Sequence, residues 1–181
     1  PPRYLSHSGV VPQATWSRLS VLGKFSARLT DHITIGAQVN YINSGGDRIQ
    51  RGSNTSGVSL ALFRNTPTFD AARGYTNGKE AARNPDVYLF PDGTQRSFRW
   101  GVYDSPFFTV NRNPFQDNVN RVIGNVNALW QAKSWMSVSY KLGLDNNWED
   151  RLWVFDLNSA VFPEGNIYLE NIYSNLINSD I

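Results

Sequence analysis

The stretch NRVIGNVNALWQAKSWMSVSYKLGLDNNW, residues 120–148, decides the architecture. Val122, Gly124, Val126, Ala128 and Trp130 fall on one set of alternate positions. Arg121, Asn125, Asn127 and Gln131 fall on the other, with Ile123 and Leu129 breaking the pattern. After Ala132-Lys133-Ser134, Met136, Val138, Tyr140, Leu142 and Leu144 oppose Ser137, Ser139, Lys141, Gly143, Asp145 and Asn147. Side chains alternate across a strand with period two, so each run is a ribbon with an oily face and a polar face. Helical spacing would mix the two sets on every face.

Residues 17–43 repeat the arrangement. Leu19, Val21, Phe25, Ala27 and Leu29 oppose Arg18, Ser20, Leu22, Lys24, Ser26 and Arg28; after Thr30-Asp31-His32, Ile33, Ile35, Ala37, Val39 and Tyr41 oppose Thr34, Gly36, Gln38 and Asn40. All four runs reach the roughly nine to eleven residues that a tilted strand needs to cross hydrocarbon, longer than the about five or six usual in soluble sheets. Tyr41, Trp130 and Trp148 lie toward strand ends on the oily face, where interfacial aromatics sit. Within each pair the joint is tight and polar; between the pairs lies the long stretch 44–119. Short turns at one end and a long loop at the other are the layout of a transmembrane β-barrel wall. The same alternation also suits a soluble β-sandwich with one wet face, which stands as an alternative.

The long stretch carries order of its own. Ser44-Gly45-Gly46-Asp47 reads as a turn, and Ser53 or Asn54 as the cap of a short helix through Val58, Leu60, Ala61 and Phe63, ended near Pro67. Asn84-Pro85-Asp86 and Pro91-Asp92-Gly93 are turn signals. Phe98, Trp100, Tyr103, Phe107, Phe108 and Phe115 then crowd together. Most are expected to form the loop's own small core; Trp100 and Tyr103, with polar and glycine neighbours, are the candidates for substrate or partner contact.

Composition excludes several classes. The chain has 181 residues, no cysteine and a net charge of +2 with a mean hydropathy of −0.41. Disulfide scaffolds and cysteine metal sites are out, and the charge is too mild to argue for nucleic acid. No apolar run approaches the ~18 residues of a spanning helix, and no leader pattern opens the stretch. His7 and His32 have no partner at ligand spacing, and adjacent Glu149-Asp150 point to opposite faces of a strand. No catalytic residue, metal ligand or cofactor motif is expected, and no enzyme. Asn54-Thr55-Ser56 matches a glycosylation triplet of the kind that arises by chance. Four strands fall short of the roughly eight that close the smallest common barrels, so a piece of a longer wall, or several copies sharing one, is expected.

Three segments carry a resemblance. Asp47-Arg48-Ile49-Gln50-Arg51-Gly52-Ser53-Asn54-Thr55-Ser56-Gly57 runs into Leu62-Phe63-Arg64-Asn65-Thr66-Pro67-Thr68-Phe69-Asp70. Ser105-Pro106-Phe107-Phe108-Thr109-Val110-Asn111-Arg112-Asn113-Pro114-Phe115 precedes Asp117-Asn118-Val119-Asn120-Arg121-Val122-Ile123-Gly124-Asn125. Glu170-Asn171-Ile172-Tyr173 precedes Asn178-Ser179-Asp180. In this order they resemble the SusC/RagA-like family of TonB-dependent outer-membrane transporters of Bacteroidetes, with Asn65-Thr66-Pro67 where the family commonly has Thr-Pro-Pro, one proline fewer.

The resemblance implies an all-β fold: part of one antiparallel transmembrane barrel of about 22 strands, with strand pairs 17–43 and 120–148, a partly helical extracellular loop 44–119, and the edge of a further extracellular loop at 149–181. The family's N-terminal plug and TonB-contacting segment are not in this stretch. Arg18, Lys24, Arg28, Gln38, Asn40, Asn125, Asn127, Lys141 and Asp145 are expected to face the lumen or plug, and the oily positions the outer-membrane lipid. The implied activity is active import of oligosaccharides or peptides with a SusD-like surface lipoprotein, energised through TonB. Alternatives are a barrel serving as a structural component of an envelope or secretion assembly with other envelope proteins, and a soluble glycan-binding β-sandwich.

Overall fold

The structure, a computed structural model, describes residues 2–181. Six strands form one antiparallel sheet in chain order: β1 (Pro2–Ser8), β2 (Thr15–Arg28), β3 (Ile33–Arg48), β4 (Phe115–Lys133), β5 (Met136–Phe155) and β6 (Asn166–Asp180). Three short α-helices interrupt the long connection, α1 (Val58–Arg64), α2 (Gly78–Arg83) and α3 (Pro106–Arg112), with a 3-10 turn at Pro85–Val87. The fold is all-β and the sheet is open. Since the strands alternate in direction, residues 29–32 and 134–135 turn at one end. Residues 9–14, 49–114 and 156–165 lie at the other.

The register makes each face continuous. Phe25, Ala37, Val126 and Leu142 pair laterally along one row, and Ala27, Ile35, Ala128 and Tyr140 along the next. Opposite residues in antiparallel pairs share a face, so the oily sets of four strands merge. No second layer covers them: Val21, Val39, Val126 and Val138 are 42, 50, 55 and 39% exposed. Toward the loop end the same face turns polar, where Asn43 donates to Asn118 (3.1 Å) and Asn120 (2.9 Å), and Tyr41 donates to Asn120 (2.8 Å). Trp148 and Tyr173 meet beside this belt with ring centroids 5.7 Å apart.

Several boundaries differ from the sequence reading. The first pair extends beyond 17–43, to Thr15 and Arg48, and the second beyond 120–148, to Phe115 and Phe155; the connection is 49–114 rather than 44–119. Ser44-Gly45-Gly46-Asp47 is strand, not turn. A Cβ on Gly45 would collide with the Asp117 carbonyl, and one on Gly46 with that of Thr15. The two glycines let three strands close up. Ala132 and Lys133 also belong to β4, leaving the two-residue turn Ser134–Trp135, with a register irregularity between Gln131 and Lys133. Residues 149–181 are not the edge of a loop. Residues 149–155 complete β5, 156–165 connect, and β6 pairs along β5 from Asn166 to Asp180. Strand β1 likewise pairs with β2 along its whole length.

The insert 49–114 holds a core of Ala81, Val87, Tyr88 and Phe108, with Ala72, Leu89 and Phe107 against it. Helix α1 starts later than expected. Its N-cap is Gly57, while the Ser53 hydroxyl accepts from the amides of Thr55 and Ser56 in a separate turn before it. Pro106 opens α3 at its first turn, where its missing N–H costs nothing. Around Gly93, Phe90 N–H donates to Thr94 (2.8 Å), closing a small hairpin.

Candidate functional site

The polar face ends, at the loop end of the sheet, in a half-open pocket of about 760 Å³. Two lateral rows build its floor. In the upper row Arg48, Phe115, Trp153 and Tyr168 pair in sequence across β3 to β6. In the row below stand Gly46, Asp117, Arg151 and Glu170. Because the strand period is two, the row of rings sits one step above the row of charges.

The rings form a connected wall. Phe115 and Trp153 lie 5.0 Å apart, and Trp153 and Tyr168 6.5 Å apart in edge contact. Phe155 meets Phe162 at 4.9 Å and Tyr168 at 6.2 Å. Tilted and edge-on contacts at these separations are the favoured aromatic geometries, worth about 0.5–1.5 kcal/mol each beyond area burial. On the far side of the pocket His7 and Trp16 stack at 6.0 Å.

The charges below are fixed by their partners. Arg48 forks onto Asp117, with Nε 2.8 and 3.0 Å from the two carboxylate oxygens and Nη2 at 2.7 Å. Arg151 bridges Glu149 (2.6 Å) and Glu170 (3.1 Å). Bidentate and bridged geometry holds these groups more firmly than ordinary surface pairs. Two donors at the pocket are not used by the protein. Arg51 has no hydrogen bond or ion pair among the described residues. Gln50 is 8% exposed; its Oε1 accepts from Ser56, while its Nε2 has no partner among them. The arrangement can stack a ring or chain over the aromatic wall and offer the Arg51 guanidinium to an acceptor. Among the described residues no cluster of three or more His, Asp or Glu gathers at metal-ligand spacing.

The roof is held by a buried carboxylate. Asp104 (1% exposed) accepts from Gln95 Nε2 (2.9 Å), Asn113 Nδ2 (3.2 Å), Ser159 Oγ (2.7 Å) and the Ala160 amide (2.6 Å). Arg112 also pairs with Asp156. The insert and the connection 156–165 are thereby tied into one body above the sheet.

The register places Arg18, Lys24, Arg28, Gln38, Asn40, Asn125, Asn127, Lys141 and Asp145 on the polar face together. Arg121 pairs with Asp145 on that face, and Arg28 with Asp31 in the adjoining turn. Trp100 lies outside the pocket and is 60% exposed on the insert. Tyr103 is also outside it and half-buried, with the Arg64 guanidinium 4.9 Å over its ring. The sequence reading missed Trp153, Phe155, Phe162 and Tyr168, because 149–181 was taken for a loop. The signal was the continued alternation of Glu149, Arg151, Trp153 and Phe155 against Asp150, Leu152 and Val154.

Compared with protein-family models, with curated proteins and with solved structures, the chain matches none.

Proposed function

We propose that this sheet is a wall segment of an outer-membrane β-barrel of the SusC/RagA type, taking up oligosaccharides or peptides together with a SusD-like lipoprotein and energised through TonB. The observation that carries the membrane reading is the uncovered apolar face, continuous across β2 to β5 and bounded by Trp148 and Tyr173 above and Trp135 below. In water such a surface would be a large exposed patch needing a partner; in a bilayer it has one. Gly23 and Gly124 hollow this face beside Phe25, Val39 and Leu142, leaving an open groove of about 570 Å³ of a shape that accepts acyl chains.

The family reading rests on the three segments named above and on the placement of the insert at the end with long connections, where its residues 49–53 line the pocket. Arrival of solute there, at the polar face, is what an importer requires. Energy coupling rests on the resemblance alone.

Membrane integration is tested on the full-length protein. We expect it to fractionate with carbonate-washed outer membranes, to need detergent for extraction, and to migrate faster on unboiled than on boiled denaturing gels. A monodisperse protein in detergent-free buffer refutes the barrel. Detergent extracts also separate the two uses of such a barrel. Co-purification of a single surface lipoprotein supports import, and a multi-component envelope complex supports a structural part in a larger assembly.

A further inference from the structure

The polar face is not uniformly charged. On β4 to β6 acids meet the arginines: Asp117 takes Arg48 of β3, Asp145 takes Arg121, and Glu149 and Glu170 share Arg151, while Lys141 on that face has no ion pair among the described residues. On β1 to β3 the polar face carries Arg3, Arg18, Lys24, Arg28 and Arg48 and no carboxylate. The one acid of those strands, Asp47, lies on the other face, where it accepts from Gln116 and Thr15. Arg3, Arg18 and Lys24 are exposed and have no hydrogen bond or ion pair among the described residues.

These three cations form a column. Arg3 pairs laterally with Ser20, so the charges stand level with residues 18, 20 and 24 of β2. Their spacings along the strand are about 7 and 13 Å. The column begins just below the pocket's His7–Trp16 wall, where Arg51 is also a donor without a protein acceptor among the described residues. Cations lined along a low-dielectric wall raise the local concentration of anions and select for them.

We propose that the β1–β3 half of the polar face is an anion track leading from the pocket, and that the solute this protein takes up bears carboxylate groups. The proposal rests on the pore reading above. The solute first meets the aromatic wall on the charge-compensated β4–β6 side, and its carboxylates then engage Arg51, Arg18, Arg3 and Lys24 in turn. The repeated spacing suits a chain of acidic units better than a single anion.

The test uses full-length protein in detergent micelles, after confirming heat-modifiable migration. Tetragalacturonate and tetra-aspartate are the anionic probes and maltotetraose the neutral one, titrated by calorimetry at two salt concentrations. We expect an anionic probe to bind more tightly than maltotetraose and to weaken with salt. The double variant R18Q/K24Q should lose about three- to tenfold in that affinity, the effect of two exposed ion pairs. R18K/K24R should retain it, and maltotetraose binding should not change. Which anionic probe is preferred separates an acidic glycan from an acidic peptide, and either preference supports the track. Equal affinity for anionic and neutral probes overturns it, as does an equal loss for both in R18Q/K24Q. A lowered melting temperature in R18Q/K24Q with unchanged affinities also overturns it, assigning the cations to an acidic protein surface packed inside the barrel. A protein that never needed detergent instead refutes the barrel itself.

Discussion

Placing an arginine at chosen depths on the apolar face tests its sidedness. Leu142 stands midway along β5 between Trp148 and Met136, on the row shared with Phe25, Ala37 and Val126. Twelve residues separate the two ends, about 40 Å along the strand and about 30 Å across the bilayer after a tilt near 40°. In the proposed barrel wall Leu142 would therefore stand at the midplane. Val138, four residues nearer the turn, lies about 10 Å below it, close to the interface. A lipid-facing arginine costs about 2–4 kcal/mol at the midplane and about 0–1 near the interface. Leu142→Arg should thus lower stability by about 2–4 kcal/mol and Val138→Arg by about 1. Ser139→Arg, on the polar face, should change it little. The measurement is urea unfolding of the full-length protein in lipid vesicles, followed by tryptophan fluorescence. Equal costs for Leu142→Arg and Ser139→Arg would show that the two faces meet the same medium, and would sink the membrane reading.

Asp104→Ala leaves the donors of Asn113, Ser159 and Ala160 without an acceptor, while Gln95 Nε2 keeps the Asn158 carbonyl at 2.9 Å. At about 1–3 kcal/mol per orphaned buried group, local stability falls by about 3 kcal/mol or more. Hydrogen exchange at residues 95–105 and 156–160 should accelerate at least a hundredfold with the sheet unaffected; unchanged rates would refute the tie. The Asp92 carboxylate accepts from the hydroxyl (2.6 Å) and amide (2.9 Å) of Thr94, which hold its pKa below the ordinary 3.8. A depressed carboxylate contributes stability above its unfolded pKa and loses it as pH falls through the folded value. Amide resonances of Gly93 and Thr94 should therefore titrate with a midpoint below the ordinary 3.8, and Thr94→Val should move that midpoint upward; an unmoved midpoint counts against the contact.

How much of this was legible in the sequence follows from which forces are local. Strands β2 to β5 could be read because Val, Ile and Leu recur at alternate positions over more than ten residues. The face assignment of Arg18, Lys24, Asn125 and Lys141 came with it. Strand β6 could not. Asn171 and Asn175 interrupt its oily set, and they do so because they stand beside Asp150 and Asn146 in the amide belt, a lateral relation that only the register reveals. The glycines of Ser44-Gly45-Gly46 carry a turn signal in sequence and a close-approach role in the sheet. The aromatic row Phe115, Trp153 and Tyr168 is spread over three strands and exists only once they pair. Asp104 draws together residues up to 56 positions apart, and no local pattern announces that.

The division of the polar face gives the site its sense. Where β4 to β6 carry rings, the neighbouring charges are neutralised within the sheet, so Arg48 and Arg151 hold geometry and offer no net charge to a solute. On β1 to β3, below the His7–Trp16 stack, Arg3, Arg18 and Lys24 have no acid beside them among the described residues, with Ser20, Leu22, Ser26 and Gly36 around them. A surface that merely hydrated a wall would gain from scattering its cations among acids, since like charges in a column repel. Arg3, Arg18 and Lys24 accept that repulsion on adjacent strands while Asp47 faces the opposite way. Relief of it by an arriving anion is the free energy that such an arrangement makes available for selecting solute.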